Sequence, residues 1–250
     1  LTGLTAAGIH ADYNQIETMT LKTGSGNDLV QVMDSLGQPD SHLFINTATG
    51  DDEITVTDEE GTANGIVAQL VIDSGTGSDR LHIDDINDPE DNNITMSNTV
   101  RDGYTSITGI AKGEIHYRGS YGQGVLLQAG MGNDLISIEG LIAQAHTTVH
   151  GGEGDDDIIA TFAAEPGASL TIRGEDGLDL IDAKQAGFGI TIEGNQDADT
   201  IYGSTHGDDI SGNQGDDLIV AGLGEDNVSG NSGNDIIFGD LGNVFDQNGQ

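Results

Sequence analysis

The sequence predicts an all-β chain wound as a right-handed parallel β-solenoid, and three observations predict it. A nine-residue unit recurs without a gap near the C-terminal end, and aliphatic residues stand in fixed columns beside a glycine-rich turn along the whole length. No window carries the three-and-four apolar spacing of an amphipathic helix, and 39 glycines would weaken any helix interior.

The unit reads G-G-x-G-x-D-x-U-x, where U is a large aliphatic residue, and it fits from Gly194, Gly203, Gly212, Ala221 and Gly230 onward. Upstream the same turn recurs as "TGSGNDLVQV" from Thr23, "TATGDDEITV" from Thr47 and "SGTGSDRLHI" from Ser74, then as "AGMGNDLISI" from Ala129, "GGEGDDDIIA" from Gly151 and "GEDGLDLIDA" from Gly174. Starting points lie 24, 27, 55, 22, 23 and 20 residues apart, and from Gly194 every second unit is 18 apart. The interval of 55 reads as two coils, one with a degenerate turn.

Two residues after each aligned aspartate stands Val30, Ile54, Leu81, Ile136, Ile158, Ile181, Ile201, Ile219 or Ile237. Two residues before each turn unit stands Leu21, Ile45, Ile72, Leu127, Val149, Ile172, Ile192 or Ile210. Alternation around these columns, as in "LTIRG" and "ITIEG", has the period of two of strands with one buried face. Each coil therefore reads as turn, short strand, second turn, short strand. A longer repeat overlies the short one, because residues 1–29 match 107–135 at an offset of 106, with Thr2, Gly3, Ile9, His10, Gly24, Gly26, Asn27, Asp28 and Leu29 identical to their counterparts.

Two sub-regions follow. Residues 1–193 read as an irregular long-coil solenoid, with an excursion near 84–106 in "DDINDPEDNNITMSNTVRDGYTS", and residues 194–250 as compact nonapeptide coils.

Charge narrows the partners. The chain carries 43 Asp and Glu against 7 Lys and Arg, a formal net charge of −36. Such a charge opposes a compact state by self-repulsion, so folding calls for counter-cations. Nucleic acid and anionic membrane surfaces attract basic patches, which makes both poor partners here. No stretch of about 18 apolar residues exists to insert in a bilayer. Cysteine is absent, which excludes disulfides and thiolate metal sites. The opening "LTGLTAAGIH" lacks a basic segment followed by an apolar run, and the chain reads as a segment of something longer.

The turns supply the oxygen ligands that a hard cation needs. Gly212, Gly215, Gly222, Gly224, Gly230 and Gly233 permit positive φ and let carbonyl oxygens turn inward, and an aspartate closes each turn. Calcium takes six to eight oxygens at roughly 2.3 to 2.6 Å, more than one turn offers. Turns stacked one coil apart, about 4.8 Å, supply the rest. Equivalent turns must then carry aspartates in adjacent coils. Asp199, Asp217 and Asp235 fall on one edge, Asp208 and Asp226 on the other. The first of these edges reads upstream through Asp179, Asp156 and Asp134, then through Asp79, Asp52 and Asp28. On the opposite edge before Gly194, "KQAGFGI" and "AEPGASL" replace the acidic turn, so two calcium ladders are expected at the C-terminal end and one upstream.

This nonapeptide resembles the repeat-in-toxin (RTX, hemolysin-type) calcium-binding repeat. The resemblance implies a parallel β-roll or β-helix with several bound calcium ions and a place outside the cell or on a bacterial cell surface. It also implies export of the unfolded chain, often by a type I system, before folding in calcium-rich surroundings. The match is tight from Gly194 to Phe238 and looser upstream, where the 106-residue unit looks like the long repeats of giant bacterial extracellular proteins. Departures are Asn for the second glycine, His206 at a glycine position, and the long upstream coils.

A structural role is the function these features imply: a segment of a secreted or surface-bound calcium-stabilised solenoid, able to assemble end to end or laterally into filaments. The alternatives are a calcium-binding secretion and folding module attached to an exported enzyme, and an adhesive ligand-binding solenoid. Catalysis by this segment is not expected, since no G-x-S-x-G elbow, H-E-x-x-H site or EF-hand loop is present. His10 and His116 are equivalent in the long repeat and read as a repeated packing or surface position. His146 and His150 lie about 13 Å apart on a strand and should not share a metal. Thr18, Thr20, Thr147, Thr148, Thr171 and Thr191 do not make the unbroken rank that an ice-binding face requires.

Overall fold

The computed structural model describes residues 16–35, 40–98, 103–239 and 244–245. Among them the chain forms strands, turns and loops and no helix. In chain order the strands are β1 (Thr18–Lys22), β2 (Leu29–Val32), β3 (His42–Asn46), β4 (Glu53–Val56), β5 (Gln69–Asp73), β6 (Arg80–Asp84), β7 (Asn93–Ser97), β8 (Thr105–Thr108), β9 (Ile115–Arg118), β10 (Gly124–Gln128) and β11 (Leu135–Ile138). There follow β12 (His146–Glu153), β13 (Asp157–Ala160), β14 (Ser169–Asp176), β15 (Leu180–Asp182), β16 (Thr191–Gln196), β17 (Thr200–Tyr202), β18 (Asp209–Gln214), β19 (Leu218–Val220), β20 (Asn227–Ser232), β21 (Ile236–Phe238) and β22 (Val244–Phe245).

They form a 13-stranded sheet, β1-β3-β5-β9-β8-β7-β11-β13-β15-β17-β19-β21-β22, and a nine-stranded sheet, β2-β4-β6-β10-β12-β14-β16-β18-β20. Each coil crosses one edge from the larger sheet to the smaller and returns across the other. Pairing is parallel except at β7–β8, β8–β9 and β21–β22. This is a parallel β-solenoid.

The aliphatic columns are its core. Leu21, Ile45 and Ile72 stack in register in the larger sheet, and Leu127, Val149, Ile172, Ile192 and Ile210 in the smaller. Val30, Ile54 and Leu81 stack in the smaller sheet, whereas Ile136, Ile158, Ile181, Ile201, Ile219 and Ile237 stack in the larger. Each column read from the sequence thus changes sheet part-way along.

The cause lies in the predicted excursion at 84–106, whose described residues, 84–98 and 103–106, pack on the solenoid instead of leaving it. β7 buries Ile94 and Met96 and pairs in parallel with β11. β8 runs back antiparallel beside it, and β9 reverses again to lie parallel to β5. The "NITMS" alternation that builds β7 is hidden in sequence by the Asp and Asn around it. Before this insertion the glycine turns lead from the larger sheet to the smaller; after it, those at 129–134, 151–156 and 174–179 lead from the smaller to the larger. The 106-residue offset accordingly superposes β1 on β10, strands of different sheets. Such a swap is tolerated because both halves of a coil are a turn plus a strand with the same alternation. Residues 1–15, His10 included, fall outside the described residues.

Strands also shorten along the chain. β4, β6 and β11 each bury two aliphatic residues, Ile54 with Val56, Leu81 with Ile83 and Ile136 with Ile138. From β15 to β21 the strands of the larger sheet are three residues long, and Ile181, Ile201 and Ile219 are each the one aliphatic side chain that their strand buries.

Candidate metal-binding edges

Every residue type in the turn has a steric reason. In the unit that starts at Gly212, Asn213 sits at φ +78° and Gly215 at +133°. A Cβ on Gly215 would overlap the Asp197 carbonyl of the preceding coil, and one on Gly233 the carbonyl of Gly215. The fourth position is therefore glycine for space as well as for conformation. The first position is glycine because the unit's own carboxylate folds back over it: a Cβ on Gly212 would overlap Asp217 Oδ2, and Gly151, Gly174, Gly194 and Gly230 stand in the same relation to Asp156, Asp179, Asp199 and Asp235. At the second position Asn195, Asn213 and Asn231 take φ of 84°, 78° and 67°. Asn tolerates this left-handed region better than other non-glycine residues, so it preserves the turn.

The aspartates lock coil to coil. Asp52 Oδ1 accepts from the Asp28 amide at 2.9 Å, and Asp79 Oδ1 from the Asp52 amide at 3.0 Å. A second stack begins where Asn92 N donates to Asp134 Oδ1 at 2.7 Å. It continues through Asp156, Asp179, Asp199, Asp217 and Asp235, each accepting from the amide of the aspartate before it at 2.7 to 3.1 Å. A third links Ile190 N to Asp208 Oδ1 at 2.8 Å and Asp208 N to Asp226 Oδ1 at 3.0 Å.

Asp28, Asp52 and Asp79 do not continue the edge of Asp134 through Asp235. They lie on the opposite edge, the one that carries Asp208 and Asp226, because the β7–β9 insertion moves the glycine turns across. The described residues hold three stacks: Asp28 to Asp79 on one edge, Asp134 to Asp235 on the other, and Asp208 with Asp226 back on the edge of Asp28.

A counter-running zipper was not legible as such. At five turns the residue before the aspartate accepts from the following coil: Asn27 Oδ1 from Asp51 N, Asp51 Oδ1 from Ser78 N, Asn133 Oδ1 from Asp155 N, Asp155 Oδ1 from Leu178 N and Asp216 Oδ1 from Asn234 N, all at 2.7 to 3.0 Å. Its signal was the recurrent Asn-Asp or Asp-Asp pair, in which only the second residue had been counted.

One oxygen stays over in seven of these carboxylates. Oδ2 of Asp28, Asp52, Asp79, Asp156, Asp179, Asp199 and Asp217 is buried and has no hydrogen-bond donor. Asp134 and Asp208 differ, since their Oδ2 atoms accept from Gly130 N at 3.1 Å and Ser204 N at 2.7 Å. Burial first, then repulsion from neighbouring aspartates, drives Asp156 and Asp199 up to about 8 and Asp179 up to about 6. Asp79, Asp134, Asp208 and Asp217 are raised for the same leading reason. A row of buried, mutually repelling oxygens without donors fits a hard cation, which would satisfy the orphan atoms and cancel the repulsion. Among the described residues no three His, Asp or Glu side chains converge on one point. Each turn thus offers a carboxylate, with main-chain carbonyls to complete the shell.

A family model, the RTX calcium-binding nonapeptide repeat, matches residues 148–161, 191–219 and 211–245 in four copies. These coils carry the RTX-type calcium-binding repeat. No curated protein matches the chain. The RTX match takes in Asp156, Asp199, Asp208, Asp217, Asp226 and Asp235, while Asp28, Asp52, Asp79, Asp134 and Asp179 lie outside it and share its turn geometry.

The histidines have separate partners. His146 Nδ1 lies 2.8 Å from Ser169 Oγ, and His150 Nδ1 lies 3.0 Å from Glu175 Oε1. Thr148, Thr171 and Thr191 do align on the smaller sheet, but Leu126 and Asp209 end the rank on either side.

Proposed function

We propose that this RTX β-solenoid is a structural segment of a secreted or cell-surface protein, in which calcium is a building material of the fold and no catalysis takes place. One observation carries the reading: orphan carboxylate oxygens run along two of the three stacks, at Asp28, Asp52 and Asp79 and again at Asp156, Asp179, Asp199 and Asp217, so cations stiffen the length of the solenoid rather than serve a single site. A solenoid whose folding consumes several cations at once suits surroundings rich in free calcium. Sites of extracellular modules bind at about 10⁻⁴ to 10⁻³ M, far above the free calcium that cytosolic buffers hold.

The test is a calcium titration of the strand signal by circular dichroism, starting from the chelated chain. Cooperative folding with a midpoint near the millimolar range supports the extracellular scaffold. Complete folding at sub-micromolar calcium, or a strand signal indifferent to calcium, overturns it.

A further inference from the structure

The outer face of the larger sheet carries a cleft of about 370 Å³ across β1, β3, β5 and β9 that the calcium chemistry does not use. Its floor is Val71, an outward-facing side chain that is nonetheless 7% exposed because taller neighbours shade it. On β3, Phe44 forms one wall. Tyr104 and Arg118 form the other, with the guanidinium 4.5 Å from the ring centroid. Strands β3 and β9 are two spacings apart, roughly 10 Å, so the walls admit one flat ring between them.

The polar groups are arranged in one cross-strand row. Register places Lys22, Asn46, Asp73 and Arg118 side by side. Asp73 Oδ2 accepts from both Nε and a terminal nitrogen of Arg118, at 3.0 and 2.7 Å, which fixes the guanidinium at the cleft edge. Asp73 balances Arg118 and leaves the charge of Lys22 over. Lys22 and Asn46 have no side-chain hydrogen bond or ion pair among the described residues, and neither does Thr20 at the mouth. A positively biased, aromatic-walled cleft is an exception on a chain of net charge −36.

We infer that this cleft binds an acidic saccharide. The Phe44 ring receives the C–H face of a sugar, Asn46 and Thr20 exchange hydrogen bonds with hydroxyls, and Lys22 holds the carboxylate. Charge complementarity selects this occupant over a neutral glycan, and the row sits on rigid strands rather than on loops. The inference goes beyond the scaffold reading and gives the solenoid something to hold.

The experiment is isothermal titration of the calcium-loaded chain with oligogalacturonate and, separately, with a maltooligosaccharide of the same length. Circular dichroism of each sample reports whether the calcium-dependent fold is intact, so a failure of the scaffold reading is distinguished from a failure of this one. Oligogalacturonate should bind more tightly than the neutral sugar, and Phe44→Ala and Lys22→Ala should each weaken it by about tenfold, the scale of one well-placed contact. Arg80→Ala, on the other sheet, removes the same charge and should leave binding unchanged. The inference fails if oligogalacturonate does not bind, if both sugars bind equally, or if Arg80→Ala costs as much as Lys22→Ala. Binding that survives both cleft variants and requires calcium would mean that calcium merely bridges the acidic sugar to acidic turns, and would also overturn it.

Discussion

Coils before and after residue 180 are held together by different means. Upstream, strands such as β2, β4, β6 and β11 each bury two aliphatic side chains, and fully buried Tyr117 and Tyr121, with ring centroids 5.6 Å apart, fill the coil where the β7–β9 insertion joins. Burying one such aliphatic side chain contributes about 1.5 to 3 kcal/mol, so apolar packing alone goes far there. Downstream, Ile201 and Ile219 are single buried residues on three-residue strands, and aspartate turns occupy both edges. The less a coil buries, the more its stability depends on its turns and, on the proposed reading, on the cations those turns take.

Chelation is the sharpest way to break this comparison. Without calcium, amide protection should vanish from β17 to β21 while β4, β6 and β11 keep a large part of theirs, as hydrogen exchange with mass spectrometry would report. Equal loss in both regions would show that calcium holds the upstream core as well. Retention in both would remove the cation from the account.

Second in size is a core charge. Ile219→Asp places an uncompensated carboxylate in the narrowest coil and should cost at least about 3 kcal/mol in denaturant melts with calcium present. Asp156→Asn is gentler and has an effect of changing sign. Its amide oxygen can still accept from Asp134 N, but the charge is gone. In calcium the variant should be less stable than the parent, and in chelator at pH 8 more stable, because the parent there must bury a charge that burial and its neighbours disfavour. A variant destabilised under both conditions would contradict the repulsion argument.

Proton linkage gives a third effect. Asp156 and Asp199 at about 8 and Asp179 at about 6 all lie above the ordinary carboxylate value, so between that value and pH 8 the folded, calcium-free chain holds more protons than the unfolded one. Stability then falls as pH rises through this window. Calcium-free melting temperatures should drop from pH 5 to pH 8, whereas calcium, which competes with those protons, should bind more tightly toward pH 8 and flatten or reverse the trend. A calcium-free chain that gains stability with pH would be inconsistent with buried, raised carboxylates.

Much of this was legible because a solenoid repeats its physics. The nonapeptide gave turn, strand and period, and columns such as Ile201–Ile219–Ile237 proved to be true cross-strand neighbours. What stayed hidden was global. A periodic sequence says which residues stack but not on which edge, since both halves of a coil obey one pattern, and the edge swap depends on a three-strand reversal with no repeat of its own. The cleft was equally invisible, because Phe44, Asp73 and Arg118 are brought together by register across coils and lie far apart in the chain.

The smallest expected effects concern the second turn position, where the two regions again differ. In the units from Gly194, Gly212 and Gly230 it is filled by Asn195, Asn213 and Asn231, and in the upstream unit from Gly174 by Glu175 at φ +83°. Left-handed backbone costs a side-chain-bearing residue about 1 to 2 kcal/mol, less for Asn. Asn213→Ala should therefore lose about 1 kcal/mol and Asn213→Gly a few tenths at most. Glu175→Gly relieves a larger strain but breaks the contact with His150 at 3.0 Å, whose imidazole is held down to about 4, mainly by burial, and so is neutral at pH 7. A neutral imidazole offers Glu175 a hydrogen bond rather than an ion pair, which is worth less than the backbone strain it accompanies. Glu175→Gly should then be neutral or stabilising in thermal melts at pH 7. A loss larger than that of Asn213→Ala would mean that the His150–Glu175 contact, and not turn geometry, determines the residue at that position.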